Sequence, residues 1–247
     1  MRKHTSKFRQ NIKAKLQGST LSFSDLVEGA GGITGLRSHA QAKRVDAWPP
    51  RVEPISFVGS AINTTYTNTI SLSGMGLEPN DFLFVFAGYD SSATYSVSTM
   101  TQMVNTSVGG MQIAIFRTQL LSVPTSINIG ASANTIIAAG FRGVSTVGIS
   151  SAVEEASNVA TITPNSVSVS DGATAIIFAA HDDSVTATAT APSGYTIAEQ
   201  GGVANGTQTA TGAVMYKTNL VAGTESPAAV TWSETDTLAA YTIKLEA

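Results

Sequence analysis

One stretch of the 247-residue chain gathers side chains that can do chemistry together: His181, Asp182, Asp183 and Ser184. A histidine with two carboxylates can ligate a divalent metal, and a histidine between a carboxylate and a serine is the core of a hydrolytic triad. Both require the groups to converge. The stretch follows the apolar run "ATAIIFAA", and neighbouring residues of a strand point to opposite faces. His181 and Asp182 therefore cannot both face one metal from a regular strand. Asp and Ser after an apolar strand are ordinary turn formers, so a turn is expected here, with no catalytic residue, metal or cofactor assigned. Glu154 and Glu155 are adjacent acids expected in a solvated loop, without the spacing of a cation-binding loop. The sequence contains neither a nucleophile elbow nor H-E-x-x-H. The chain is read as a non-enzyme.

The remaining candidates are binding residues. Trp232, in "AVTWSE", is expected at a half-buried strand position rather than as a sugar platform. Tyr66, Tyr89, Tyr95 and Tyr195 are the aromatics available to a glycan, scattered and mostly beside strands. Asn63, Asn105 and Asn205 open N-x-Ser/Thr triplets, which arise by chance in a Thr-rich chain.

Elements to position these residues are written in the composition. Cysteine is absent, so neither disulfides nor thiolate chemistry enter. Charged residues make up 13% and glycines number 22, with abundant Ser, Thr, Ala and Asn. This is the texture of a β-sandwich with many turns. No apolar run approaches the roughly 18 residues of a membrane helix, and the basic start lacks the apolar core of a signal peptide. No membrane association is expected.

The net charge of −3 hides a split. Residues 1–51 hold ten cations against three anions, a net +7. The other four cations face fourteen anions, a net −10. The chain thus divides into a basic arm, 1–53, and an acidic body, 54–247. The arm ends in "DAWPPRVEP", whose prolines make a stiff, extended linker. Upstream, Phe8, Ile12 and Leu16 fall on one face of a helix, with Lys7, Arg9, Lys13 and Lys15 around it. Thr5 or Ser6 would cap its start and Gly18 its end. Ser24 would cap a second short helix in "LSFSDLVEGAGG".

A solvated tail, an organelle presequence and a docking arm are the readings of such a segment. Three scattered apolar residues cannot order a helix by themselves, and docking on a partner would supply the missing apolar surface. Docking is therefore the expectation. Nucleic acid is not the expected partner, because the arm has few aromatics to stack on bases and the body repels phosphate. "GAGGITG" lacks the Gly-Lys-Ser/Thr ending of a phosphate loop.

From Pro54 onward, short apolar or alternating runs are separated by turn signals, predicting an all-β, antiparallel sandwich of jelly-roll-like form. The runs also repeat. "FVFAGYD", ending at Asp90, matches "IIFAAHD", ending at Asp182, at an offset of 92. "IAIFRT" matches "AVMYKT" at an offset of 100, and "TIIAAGFRG" matches "TLAAYTIKL" at 102. "ISL" at 70–72 matches "VSV" at 167–169. The same order with growing offsets predicts two similar halves, about 55–150 and 151–247, in which Phe84 and Ile176 occupy equivalent inner-strand positions.

Over about residues 55–247 the body resembles a β-sandwich module of tailed-bacteriophage structural proteins. The likeness rests on "EPNDFLFVFAGYD", the turn Pro192-Ser193-Gly194-Tyr195, the strand Met215–Lys217 and the closing "LAAYTIKL". The first half departs from it, with "VSTMTQMV" where a second such turn would stand. The resemblance, which does not extend to the arm, implies a virion component attached to the head, neck or tail. Together with the arm, the expectation is a decoration, collar or tail-attached protein that contacts other virion proteins through that arm and forms a homo-oligomer such as a trimer. A carbohydrate- or receptor-binding module of a phage tail, with a host-surface glycan as ligand, is the alternative expectation.

Overall fold

Apolar runs such as "FLFVFAG" and "ATAIIFAA" lack a polar alternation, so as strands they must be covered on both faces. The computed structural model, which describes residues 53–247 except residue 109, meets this requirement by stacking sheets in layers. The helices expected around Phe8, Ile12 and Leu16, with Lys7, Arg9, Lys13 and Lys15, lie outside the described residues. Glu53–Ala247 form a single compact unit.

The described residues form sixteen strands and no helix. They are β1 (Ser56–Ile62), β2 (Thr67–Ser71), β3 (Phe82–Asp90), β4 (Thr101–Val108), β5 (Met111–Gln119), β6 (Ser126–Ala133), β7 (Thr135–Arg142) and β8 (Thr146–Ile149). After these come β9 (Val153–Ile162), β10 (Val167–Val169), β11 (Ala173–Asp182), β12 (Ala189–Thr190), β13 (Thr196–Gly201), β14 (Ala210–Leu220), β15 (Gly223–Glu225) and β16 (Val230–Glu246).

One large sheet has the order β1-β7-β3-β5-β4. The other runs β16-β11-β14-β13, with β8, β9 and β12 also pairing along the 17-residue β16. Two small ladders, β2-β6 and β10-β15, complete the set. Every ladder between these strands is antiparallel. The body is all-β and sandwich-like.

The period-2 alternation sorts each central strand between two cores. Phe84 and Phe86 of β3 share the core between the large sheets with Ile176 and Phe178 of β11. Leu83, Val85 and Ala87 turn the other way, against Ile70 of β2 and Ile127 and Ile129 of β6. Ala175, Ile177 and Ala179 likewise turn away, against Val167 and Val169 of β10. Each large sheet thus has one face on the shared core and the other under a two-stranded ladder. At the centre the Phe86 and Phe178 rings stack, centroids 4.9 Å apart and 16° from parallel. Their fully buried faces exclude water from the whole contact. At one edge the layers close in, where a Cβ on Gly212 of β14 would come within 2.9 Å of the Thr135 side chain at the start of β7.

Hydrogen-bond register revises the letter-for-letter matches. Phe86 pairs with Ile115 and Phe178 with Val214, so with β3 and β11 offset by 92, β5 and β14 are offset by 99, not 100. Phe86 pairs with Ile137 and Phe178 with Tyr241, an offset of 104 rather than 102. The one-residue difference matters because it swaps faces. Phe116 lies in the outer core under β2-β6, whereas Tyr216, its match by letters, packs on the core between the sheets.

Candidate metal centre

β3 and β11, the central strands of their sheets, both end in an aspartate, Asp90 and Asp182. These are the residues matched by the 92-residue repeat. The structure brings them together. Asp90, Asp182 and Asp183 each place a carboxylate oxygen within 4.8 Å of the other two. A Ca²⁺ ion holds its oxygen ligands at 2.3–2.6 Å, so oxygens across it lie up to about 5 Å apart. The three carboxylates are within reach of a single such ion.

Local structure explains how each arrives. Asp90 is half-buried, its backbone N–H donating to Asn134 Oδ1 and its Oδ2 accepting from the Thr209 N–H at 3.1 Å. Asp182 is the last residue of β11 and is buried, 8% exposed. A Cβ on Gly110, in the β4–β5 turn, would lie 3.6 Å from its Oδ2, so that turn covers the carboxylate. Asp183 is exposed and left-handed, with φ of 48°, a conformation that Asp tolerates better than most residues. That one residue takes the chain out of the strand while keeping its carboxylate beside the other two.

The electrostatics follow from this crowding. Burial, then the charges of Asp90 and Asp183, push the Asp182 carboxyl up to about 7. Asp183 is also raised, by desolvation first and then by Asp90 and Asp236.

His181 does not join the cluster. It is almost fully buried on the opposite face of β11, its ring 5.3 Å from that of Trp232. Its Nε2 lies 3.4 Å from the Glu234 carbonyl oxygen. Ser184 accepts hydrogen bonds from the Thr186 and Ala187 N–H groups and so braces a turn. The separation of His181 from Asp182 follows the strand rule. The turn itself starts at Asp183, two residues later than the sequence suggests, because β11 runs on through Asp182. Glu154 and Glu155 differ from expectation too: they lie in β9, paired with Ala239 and Leu238 of β16, rather than in a loop.

The other candidates fall mostly inside the fold. Trp232 is 2% exposed, deeper than the half-buried position expected. Tyr95 is 1% exposed, and Tyr195 is buried with its hydroxyl donating to Glu225. Tyr66 and Tyr89 remain half-buried with rings 5.8 Å apart, and the Tyr89 hydroxyl donates to Gln208. The amide of Asn63 is used internally, donating to the Thr65 carbonyl and accepting from the Ile136 N–H.

Sequence reasoning missed Asn134. Fully buried between β6 and β7, it supports Asp90 and also donates to the carbonyls of Val203 at 2.8 Å and Gln208 at 3.0 Å. It thereby ties the end of β3 to the segment leading into β14. No family model matches the chain, and comparison with curated proteins likewise gives no match.

Proposed function

We propose that this chain is a non-enzymatic structural protein of a bacteriophage virion: a decoration, collar or tail-attached protein held on the particle by its basic arm. The observation that carries the reading is the division of charge, +7 in residues 1–51 against −10 in the rest. An acidic body with its own closed core repels other acidic surfaces, and the arm is the part drawn to them. The body's architecture also supports a scaffold role. Its central strands are buried on both faces, and His181 and Asp182 are turned to opposite sides of β11.

The body is proposed to be two similar jelly-roll-like halves. The order β1-β7-β3-β5-β4 parallels β9-β16-β11-β14-β13, and β2-β6 parallels β10-β15. The pairs Phe86 with Phe178 and Asp90 with Asp182, each separated by 92, meet their own counterparts, as residues do along a two-fold axis. A homo-oligomer such as a trimer on the particle is part of this proposal. Mass spectrometry of density-banded virions tests it. The chain is expected in the band at a constant ratio to the major shell protein, and its absence overturns the reading.

One observation favours a second reading, a glycan- or receptor-binding module of a phage tail. Tyr66 and Tyr89 form a half-buried ring pair beside Asp90. Glycan-array binding lost in Tyr66→Ala would support it over a purely structural role.

A further inference from the structure

We propose that Asp90, Asp182 and Asp183 form a calcium site that fastens the ends of the two central strands to each other. The convergence of three carboxylates is the first observation. A second points to a ligand among them. Asp182 is more than nine-tenths buried, contributes an oxygen to the cluster, and has its Oδ1 without any hydrogen-bond donor. A buried carboxylate oxygen with no donor is costly, and the remedies are a donor, a proton, a neighbouring cation or a bound metal.

Among the described residues, no cation supplies the remedy. The cations beyond residue 51 are Arg117, Arg142, Lys217 and Lys244. Arg142 bonds Asp81 and Glu78, Lys217 bonds Glu225, and Lys244 bonds Glu246. Arg117 sits six residues along β5 from Met111, the partner of Asp90, which is about 20 Å away at 3.3 Å per residue.

The donor set selects the metal class. Carboxylate oxygens with no imidazole or thiolate suit a hard cation. Mg²⁺ demands near-ideal octahedral geometry and sheds its water reluctantly. Ca²⁺ accepts irregular oxygen sets, completed by carbonyls and water. Three carboxylates from two strand ends and a left-handed turn residue make such an irregular set. An ion there would join β3 to β11, one from each large sheet, and restrain the β4–β5 turn that covers Asp182.

The test uses the full chain, stripped with EDTA and dialysed. Calorimetric titration with CaCl₂ is expected to give one site per chain and a rise in Tm on saturation. Asp183 is exposed, so Asp183→Asn leaves the fold intact; it and Asp90→Asn are each expected to weaken Ca²⁺ at least tenfold and to abolish the Tm rise. The same titration with MgCl₂ is expected to give at least tenfold weaker binding. Wild-type protein that binds no Ca²⁺ at millimolar concentration, binds Mg²⁺ as tightly, or binds Ca²⁺ equally well in Asp183→Asn would overturn the assignment.

Discussion

The stack of Phe86 on Phe178 makes the unity of the body measurable. Each ring is fully buried, and each comes from a different large sheet. Truncating either to Ala should cost about 3–5 kcal/mol, the transfer loss plus the cavity left behind. Both together would remove about as much as a domain's whole stability, about 5–15 kcal/mol. The informative experiment therefore uses Leu, which keeps most of the apolar volume and removes the ring faces. Offset-stacked aromatic pairs contribute about 0.5–1.5 kcal/mol beyond their buried area. The double variant Phe86→Leu/Phe178→Leu should accordingly lose less than the sum of the single losses by about that amount. Urea unfolding monitored by tryptophan fluorescence and far-UV circular dichroism would measure all four proteins. One coincident transition in each is expected, because the core between the sheets belongs to both. Additivity within about 0.3 kcal/mol, or two separate transitions, would refute the claim that the sheets share one core.

Three further outcomes follow from the same packing. In metal-free protein the Asp182 carboxyl rises from 3.8 to about 7 on folding, so the native state binds the extra proton. Stability should then fall as pH rises from about 4 to 7, by up to about 4 kcal/mol, and Asp182→Asn should flatten that fall in denaturation curves taken across the range. Asp81 behaves oppositely. Burial raises its carboxyl, but the paired Arg142 and the Glu78 N–H together hold it below the ordinary value, so its stabilisation should vanish as pH drops below about 4. Asp81→Ala should cost about 1–3 kcal/mol at pH 7, the lower range for a pair whose arginine remains half-solvated. Asn134→Ala removes the partner of the Asp90 N–H and of the Val203 carbonyl, while the Gln208 carbonyl keeps the Asn205 N–H; thermal unfolding should show a loss of about 1–3 kcal/mol.

The strands were legible because β-branched and aromatic runs between Gly, Pro, Asn and Ser punctuation leave few other structures open. "DFLFVFAGYD" and "ATAIIFAAHD" were readable as buried on both faces for the same reason. The register was less so. Matching Phe116 to Tyr216 by letters compares two aromatics, yet one extra residue sends their side chains to different cores, a distinction that only hydrogen-bond pairing reveals.

The acidic site was half visible. The similar runs already set Asp90 against Asp182, and under the proposed two-fold relation a central strand would meet its own counterpart. That inference requires knowing that β3 and β11 face each other centrally, a tertiary fact absent from the local pattern. His181 drew attention instead, because imidazole chemistry is easy to recognise in sequence. Asn134 had no signal at all: a lone Asn before a strand reads as a turn former, and its three partners lie 44, 69 and 74 residues away.

The central claim, attachment through the arm, is tested by asking whether residues 1–51 are needed to join the particle but not to fold. Exposed ion pairs contribute roughly 0–1 kcal/mol each, whereas burying a large apolar side chain contributes roughly 1.5–3 kcal/mol. Phe8, Ile12 and Leu16 should therefore supply the hold, with Lys7, Arg9, Lys13 and Lys15 steering approach. The measurement is incorporation of full-length and truncated chains into particles, quantified in the sedimented virion fraction, with circular dichroism as the check on folding. The account predicts that the chain lacking residues 1–51 folds with native β content yet stays in the supernatant, and that Phe8→Ala/Leu16→Ala weakens incorporation more than Lys13→Ala/Lys15→Ala. Efficient incorporation of the truncated chain would contradict it and assign the contact to the body.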